Sequence, residues 1–165
     1  MAKGKQKAFI KSAADAGKKS EKQTGVPASV TIAQAILESG WGKHHMADAN
    51  NYFGIKAQEK NGKIVFGDVA TGYVDRLTKE YKNGKPYTVV AHFRSYKNMA
   101  GSFIDHGIFL TGPRYQKALK AYAKSKDADE YARGLQTAGY ATDPKYAAML
   151  ISLMKKYELY QYNAK

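Results

Sequence analysis

Apolar residues recur with helical spacing over the first part of the chain. In the Lys- and Ala-rich stretch 5–22, Phe9, Ala13 and Ala16 fall on one side, which predicts a first helix. The run "TGVPAS" then interrupts the pattern. Pro27 suits the first position of a second helix, because the backbone N–H that proline lacks would have no partner there.

The second helix, which we expect to end at about Ser39, is apolar around most of its circumference. Its polar positions are confined to a stripe of Thr31, Gln34 and Glu38, at the spacing i, i+3 and i+7. A helix that is apolar nearly all round is buried, and an unpaired buried carboxylate is costly. The stripe is therefore expected to face another polar group or a cleft.

Residues 55–95 lose the helical spacing. Two turn signals typical of β-hairpins lie there, the pairs Asn61-Gly62 and Asn83-Gly84. Stretches rich in β-branched and aromatic residues flank these pairs. We predict a small antiparallel β-hairpin lobe inserted between helices.

Helical spacing returns at Asn98 and continues nearly to the C terminus, where it predicts four more helices. Pro113 opens the second of these. Asp127 and Glu130 are spaced as a capping box for the third. Asp143 is the expected N-cap of the last.

These elements predict a single α+β domain over residues 1–165, mainly α. A chain of 165 residues has the length of one ordinary domain, and 44% hydrophobic residues suffice for a core.

No run approaches the ~20 apolar residues that a membrane span needs, and the basic start lacks the apolar stretch of a secretory signal. We therefore expect a protein that is phage-encoded, exported by an unusual route, or a domain cut from a longer chain.

The charge balance narrows the choice of partner. The 27 basic residues against 14 acidic ones give a formal charge of +13, which favours a polyanion. Only four of the basic residues are arginines, namely Arg76, Arg94, Arg114 and Arg133, whereas base readout and bidentate phosphate contacts favour arginine. An anionic cell wall is thus a better match than nucleic acid, and simple solubility is the alternative.

Glu38 is the polar-stripe residue with the most specific chemistry. It lies at the end of an apolar helix, just before Trp41, which Gly40 and Gly42 flank. A carboxyl group in apolar surroundings is destabilised as an anion, so its pKa rises toward the range of a general acid. The two glycines would let the chain turn sharply, so that Glu38 and Trp41 face one cleft. The alternative is a carboxylate paired with a lysine such as Lys43.

A glycosidase that uses one acid needs a second participant. It is a nearby carboxylate nucleophile, a more distant base, or the N-acetyl group of the substrate. Glu80 precedes the second predicted turn, and a solvated hairpin charge is the alternative explanation for it. The candidates are Asp48, Glu59, Asp68, Asp75 and Glu80.

The stretch "NNYFGIKA", residues 50–57, combines amides with aromatic rings, which suits sugar binding. Asn51 and Tyr52 are the candidates there. The alternative is a loop that caps a helix and holds Phe53 in the core.

The histidines do not form a recognisable metal site. No HExxH is present, and adjacent histidines on a helix point in different directions. Phosphate-binding, dinucleotide-binding and Gly-x-Ser-x-Gly patterns are also missing from the sequence. We therefore expect neither a metal nor a cofactor. The histidines are His44, His45, His92 and His106.

Five ordered segments together resemble glycoside hydrolase family 73. They are "QAILESGWGK", "NNYFGIKA", "TKEYKNGK", "FRSYKNMAGSFIDH" and "AGYATDPKYAAMLI". The resemblance extends from about Phe9 to Tyr162. It implies a lysozyme-like helical domain with a small β-lobe, and an endo-β-N-acetylglucosaminidase similar to the flagellar rod-associated wall hydrolase and to bacterial and phage autolysins.

The resemblance also implies roles for individual residues. The general acid of the family falls on Glu38, and a tyrosine of its groove falls on Tyr140. The second carboxylate matches Glu80, although the acetamido group of the substrate takes over that role in part of the family. Substrate contacts are expected from Gln34, Trp41, Asn51, Tyr52 and Asp143.

The sequence therefore predicts a monomeric hydrolase that acts on peptidoglycan glycan strands in the bacterial cell wall. Its expected target is the β-1,4 bond after N-acetylglucosamine. Two alternatives remain open. One is a muramidase of the same fold, and the other is a basic domain that binds wall or nucleic acid without cleaving it.

Overall fold

The computed structural model describes residues 2–44 and 48–165 and confirms the predicted fold class. Within these residues the chain forms six α-helices and two antiparallel β-hairpins, with two short 3₁₀ helices. The helices are α1 (Ala2–Thr24), α2 (Ala28–Ser39), α3 (Met99–Phe109), α4 (Gln116–Ser125), α5 (Ala128–Thr137) and α6 (Tyr146–Lys156). The strands are β1 (Gln58–Lys60), β2 (Lys63–Val65), β3 (Gly72–Lys82) and β4 (Lys85–Ser95). The 3₁₀ helices span Pro113–Tyr115 and Leu159–Tyr162.

Helix α2 lies at the centre of the helical body, as its nearly continuous apolar surface predicts. Ten of its twelve residues are buried, and it packs against α1, α5, α6 and the C-terminal 3₁₀ helix. Pro27 has extended backbone geometry before the first turn, and Gly40 ends the helix with φ of 54°. Such a left-handed residue is a common helix stop. This burial fixes the end of α2, and hence Glu38, against a rigid core.

Helices α1 and α3 pack closely against each other. The hydroxyl of Ser20 on α1 donates to the carbonyl oxygen of Phe103 on α3 at 3.0 Å. Gly107 makes the approach possible, since a Cβ at this position would lie 2.5 Å from Ser20 Oγ and 2.7 Å from Thr24 Oγ1. The contact anchors the helix that carries one wall of the site.

Both Asn-Gly pairs form the predicted hairpin turns. Asn61 and Gly62 have φ of 52° and 77°, and Asn83 and Gly84 have φ of 53° and 76°. Positive φ at both central residues is the type I′ pattern that suits a two-residue hairpin. The lobe joins the helical body through a backbone hydrogen bond from Tyr96 N to the carbonyl oxygen of Ala49 at 2.7 Å.

Side chains cap two helices, α3 and α5, whereas the starts of α2, α4 and α6 have no capping side chain. Asn98 caps α3 by accepting from Gly101 N at 3.0 Å. Asp127 caps α5 by accepting from Glu130 N at 3.1 Å, which is one half of the predicted capping box. Asp143 is not the N-cap of the last helix, because its side chain accepts from Lys145 N in a preceding turn and α6 begins only at Tyr146.

None of the helices in the described ranges combines the length and the apolarity needed to cross a bilayer.

Candidate active site

A groove of about 650 Å³ opens between the helical body and the β-lobe. The end of α2, the segment before β1, strand β4, the C-terminal half of α3, the first 3₁₀ helix and the loop before α6 all contribute to it. The lining residues are Glu38, Phe53, Gly54, Ile55, Lys56, Gln58, Arg94, Asp105, His106, Ile108, Phe109, Arg114, Tyr115 and Tyr140. Two of the three predicted catalytic residues, Glu38 and Tyr140, thus meet in one groove.

Glu38 reaches the groove from the last turn of α2. The residue is exposed enough to meet a ligand, yet partial burial raises the pKa of its carboxyl group above the ordinary value. Among the ion pairs of the described residues none involves Glu38, so the alternative pairing with Lys43 is not seen. A carboxyl group in this state is suited to donate a proton.

The turn after α2 is as sharp as predicted, but it sends Trp41 away from Glu38. Gly40, Trp41 and Gly42 all have positive φ, at 54°, 64° and 84°. The indole packs edge-on against Phe9, at 5.9 Å between ring centroids, and against Tyr157 at 4.9 Å. The expectation that Glu38 and Trp41 share one cleft is wrong, because Trp41 fills a gap between α1 and the C-terminal end of α6.

Tyr140 lies in a chain of polar contacts beneath Glu38. Its hydroxyl is 3.2 Å from His106 Nε2, and its ring stacks on Tyr146 at 5.5 Å. Burial, followed by the charges of Tyr146 and Glu38, raises the pKa of Tyr140 well above the usual range. The hydroxyl therefore keeps its proton at neutral pH and is available as a donor beside the acid.

Gln34 supports this chain and does not reach the groove. Its Nε2 donates to the Tyr146 hydroxyl at 2.9 Å, and the residue has 0% exposure. The predicted contact between Gln34 and sugar is wrong, because a side chain without accessible surface cannot touch a ligand. The polar stripe of α2 instead holds a tyrosine against the core.

Asn51 organises the loop that forms one groove wall. Its Oδ1 accepts from Gly54 N at 2.9 Å, and its Nδ2 donates to the carbonyl oxygens of Ile55 and Arg94, both at 2.9 Å. Only 1% of the residue is exposed. Asn51 therefore has almost no surface with which to contact sugar, and its amide shapes the loop instead. The loop also holds Phe53 in the core, as the alternative expected.

Tyr52 and Asp143 are outside the residues that line the groove. The Tyr52 ring packs near Phe9 and Phe103, at 6.1 Å and 6.2 Å between centroids. Asp143 is exposed and closes the turn before α6. Their predicted substrate contacts stay predictions.

Glu80 lies outside the groove and forms an ion pair with a residue that lines it. Its carboxylate lies 3.4 Å from Lys56 Nζ, and Lys56 lines the groove while Glu80 does not. Two other candidate carboxylates are held elsewhere, Asp48 by Arg76 and Asp75 by His92, each at 2.5 Å. Among the ion-paired carboxylates of the β-lobe, Glu80 is thus the one whose partner lines the groove.

Among the groove residues that sequence patterns did not predict, Asp105 and Arg114 have well-defined polar contacts. Asp105 is buried and accepts from Arg94 Nη1 at 2.9 Å and from the Tyr96 hydroxyl at 2.6 Å. Burial and this carboxylate raise the pKa of Tyr96. An acidic residue on the apolar face of α3 is the same signal that revealed Glu38. Arg114 carried no comparable signal, since its role depends on backbone that is distant in sequence.

Within the described ranges, no group of three or more His, Cys, Asp or Glu is arranged to hold a metal ion. His45 lies outside the described residues.

The chain has a helical body and a β-lobe, and the groove between them holds Glu38, which has no ion-pair partner within the described residues. This arrangement is that of a lysozyme-like glycoside hydrolase. The family model described as mannosyl-glycoprotein endo-beta-N-acetylglucosaminidase matches residues 14–159. The chain therefore belongs to this glucosaminidase family.

Similar proteins agree with that assignment. The chain is 39% identical over 138 residues to the exo-glucosaminidase LytG of Bacillus subtilis, covering 82% of this chain and 45% of the relative. It is 37% identical over 155 residues to the peptidoglycan hydrolase FlgJ of Vibrio parahaemolyticus, covering 91% and 47%. The chain thus spans about half the length of these curated relatives.

Solved structures show the same fold. The catalytic domain of the autolysin Auto from Listeria monocytogenes superposes with a TM-score of 0.79 at 34% identity. The match covers 96% of this chain and 87% of that domain.

Proposed function

We propose that this chain hydrolyses peptidoglycan at the β-1,4 bond after N-acetylglucosamine, with Glu38 as the general acid. One observation carries the proposal: Glu38 is exposed in the groove, has no ion-pair partner within the described residues, and has its pKa raised by burial. The names of the relatives LytG and FlgJ support the choice of bond and substrate.

In this mechanism, Glu38 donates its proton to the oxygen of the leaving sugar. Cleavage of the glycosidic bond then leaves an oxocarbenium-like centre on the N-acetylglucosamine residue. The protonated hydroxyl of Tyr140 lies beside Glu38 and is a neutral donor toward the same region. Water then adds to the anomeric carbon and releases one proton, which returns the Glu38 carboxylate to its acid form.

The second participant is Glu80 or the acetamido group of the substrate. The ion pair between Glu80 and Lys56 supports a role at the β-lobe side of the groove. Because Glu80 does not itself line the groove, the acetamido group is the alternative that needs no rearrangement of the lobe. Both stabilise positive charge that develops at the anomeric centre.

We further propose that the chain acts on the bacterial cell wall as a monomer. Its formal charge of +13 supports electrostatic attraction to an anionic wall.

The test combines one substitution with product analysis. Glu38→Gln should retain the fold, as measured by circular dichroism, and lose at least about a hundredfold in release of reducing ends from purified peptidoglycan. Glu130→Gln is the matched control, because Glu130 is an exposed glutamate of α5 outside the groove. Near-normal lysis by the Glu38 variant would exclude Glu38 as the acid.

Mass spectrometry of borohydride-reduced fragments identifies the bond. Reduced N-acetylglucosamine at the new ends supports the proposal. Reduced N-acetylmuramic acid would instead establish a muramidase. Salt-sensitive binding without any new reducing ends would establish a binding domain.

A further inference from the structure

One end of the groove has a surface unlike the rest. Ile108 and Phe109 end helix α3 there with 46% and 54% of their surfaces exposed, and the buried Tyr115 supports them from below the groove surface. The Phe109 and Tyr115 rings are 5.7 Å apart. Apolar side chains exposed inside a concave site mark a contact surface for a ligand. We call Ile108, Phe109, Arg114 and Tyr115 the apolar shelf.

Arg114 is the cation of this shelf, and its guanidinium is fixed. Its Nε donates to the carbonyl oxygen of Ala138 at 2.7 Å, and its Nη2 donates to that of Gly139 at 3.2 Å. Gly139 permits this, since a Cβ there would lie 2.6 Å from Nη2. A guanidinium has five N–H donors, so three remain for a ligand.

The charge of Arg114 has no carboxylate partner within the described residues. The other two cations of the groove are neutralised, Arg94 by Asp105 at 2.9 Å and Lys56 by Glu80 at 3.4 Å. Arg114 is not the cause of the shifted pKa of Glu38 either, because that pKa is raised by burial. A fixed cation with free donors next to exposed apolar side chains matches a ligand that carries both a carboxylate and methyl groups.

We propose that the apolar shelf binds the carboxylate-bearing peptide substituent of the glycan, with Arg114 on a carboxylate and Phe109 on the small apolar groups next to it. The inference rests on the proposed function and specifies its substrate: a glycan strand that still carries peptides, in preference to a bare one. The shelf makes Arg114 a specificity-determining residue.

The experiment compares three forms of one soluble glycan preparation. The first carries its peptides. The second has had its peptides removed by an amidase, and the lactyl carboxylates that this exposes have been converted to amides. The third carries peptides whose carboxylates have been converted to amides. For each form kcat/KM is measured from the release of reducing ends. The wild-type protein should prefer the first form over both others.

Arg114→Gln tests the charge. Its loss on the peptide-bearing form should exceed its loss on the bare form by at least about tenfold, the lower end of what one charge-assisted hydrogen bond contributes. On the amidated form this excess should disappear. Arg133→Gln, an exposed arginine on α5 outside the groove, is the matched control and should leave the preference unchanged.

Phe109→Ser tests the apolar contact independently. It should raise KM for the peptide-bearing form more than for the bare form.

Equal losses by Arg114→Gln on all three forms would overturn the proposal, since Arg114 would then only hold the 138–139 backbone next to Tyr140. Equal wild-type rates on all forms would also overturn it while leaving the hydrolase assignment intact. Absence of wild-type cleavage on every form would overturn the proposed function itself.

Discussion

Glu38 satisfies two requirements that conflict at the scale of a single residue. It is open to the groove so that a ligand can reach it, and its carboxyl group is buried enough for its pKa to rise. A raised pKa in the folded state means that ionisation disfavours folding. The property that suits Glu38 to donate a proton therefore reduces the stability of the protein at neutral pH.

Glu38→Gln should stabilise the protein in a pH-dependent way. Below the ordinary carboxyl pKa of 4.5, Glu38 is protonated in both states and the variant gains nothing. Above it the unfolded state loses its proton first, so the stability of the wild-type protein falls until the folded-state pKa is passed. With allowance for partial exposure, we expect the variant to gain ~0.5 kcal/mol at pH 7, about 1–2 °C in Tm. Thermal melts at pH 4 and pH 7 measure this, and equal stability at pH 7 would contradict it.

His106 is positioned to control the proton of Tyr140. The imidazole is fully buried and stacks on Phe53 at 3.9 Å, and burial lowers its pKa to about 3, so it is neutral. Within the described residues its Nδ1 has no partner. A buried N–H without an acceptor is costly, which favours the proton on Nε2. Nε2 then donates to the oxygen of Tyr140, so the Tyr140 O–H acts as a donor and not as an acceptor of the His106 proton, with Tyr146 as a neighbouring hydrogen-bond partner.

Replacing His106 should therefore affect catalysis through Tyr140. His106→Leu should lower kcat about tenfold with little change in KM, and His106→Gln, which retains a donor near Nε2, should recover most of the loss. In a Tyr140→Phe background the His106→Leu change should add little further. Steady-state kinetics of the four single and double variants give the coupling. Additive losses would show that His106 acts only on packing.

Local signals made part of the site predictable. Glu38 could be predicted as a site residue because it is an acidic residue in the last turn of an otherwise apolar helix. The roles of Trp41 and Asn51 could not be predicted, since Trp41 packs on Tyr157 and Asn51 donates to backbone 43 residues away. Gly40 and Gly42 pointed to a turn at Trp41 without indicating which side of the turn the indole would occupy. Long-range contacts that depend on the final packing have no short sequence signature.

At the scale of elements, hairpins and helix caps followed rules that operate within four residues. Both Asn-Gly turns and the Asp127 cap form as predicted. The packing of α1 against α3 could not be predicted by such a local rule. It depends on Gly107, whose missing side chain matters only because Ser20 and Thr24 of another helix lie against it.

Gly107→Ala should destabilise the protein although alanine favours helices. The gain in helix propensity is at most about 1 kcal/mol. Overlap of the new Cβ with Ser20 and Thr24 should cost more, and we expect a net loss of about 1–2 kcal/mol. Gly4→Ala is the control, since nothing lies within 4 Å of a Cβ there. Urea unfolding measures both, and a more stable Gly107 variant would show that the two helices can move apart freely.

At the scale of the whole molecule, part of the positive charge lies away from the active site. A second groove of about 420 Å³ lies between α1 and the C-terminal segment and shares no lining residue with the first. Lys7, Lys11, Lys18 and Lys156 line it, with Asp15 and Glu158 as the opposing charges. Within the described part of the chain, no ion pair ties these lysines down. Their charges are therefore available to an anionic matrix.

Binding to whole walls should weaken with salt while cleavage of a small uncharged glycan should not. Raising the salt concentration from 0.05 to 0.5 M shortens the range of electrostatic attraction, and we expect about a tenfold loss of wall binding in a sedimentation assay. The triple variant Lys7→Gln, Lys11→Gln, Lys18→Gln should bind more weakly at low salt and show a shallower salt dependence. The matched control changes three exposed lysines of α4, Lys117, Lys120 and Lys124, to glutamine and removes the same net charge.

If both triple variants lose binding equally, the net charge of the protein attracts it to the wall, and the position of the lysines in the second groove does not matter. If neither loses binding, the wall is held through the glycan itself, because removing cations would then leave the main contact intact.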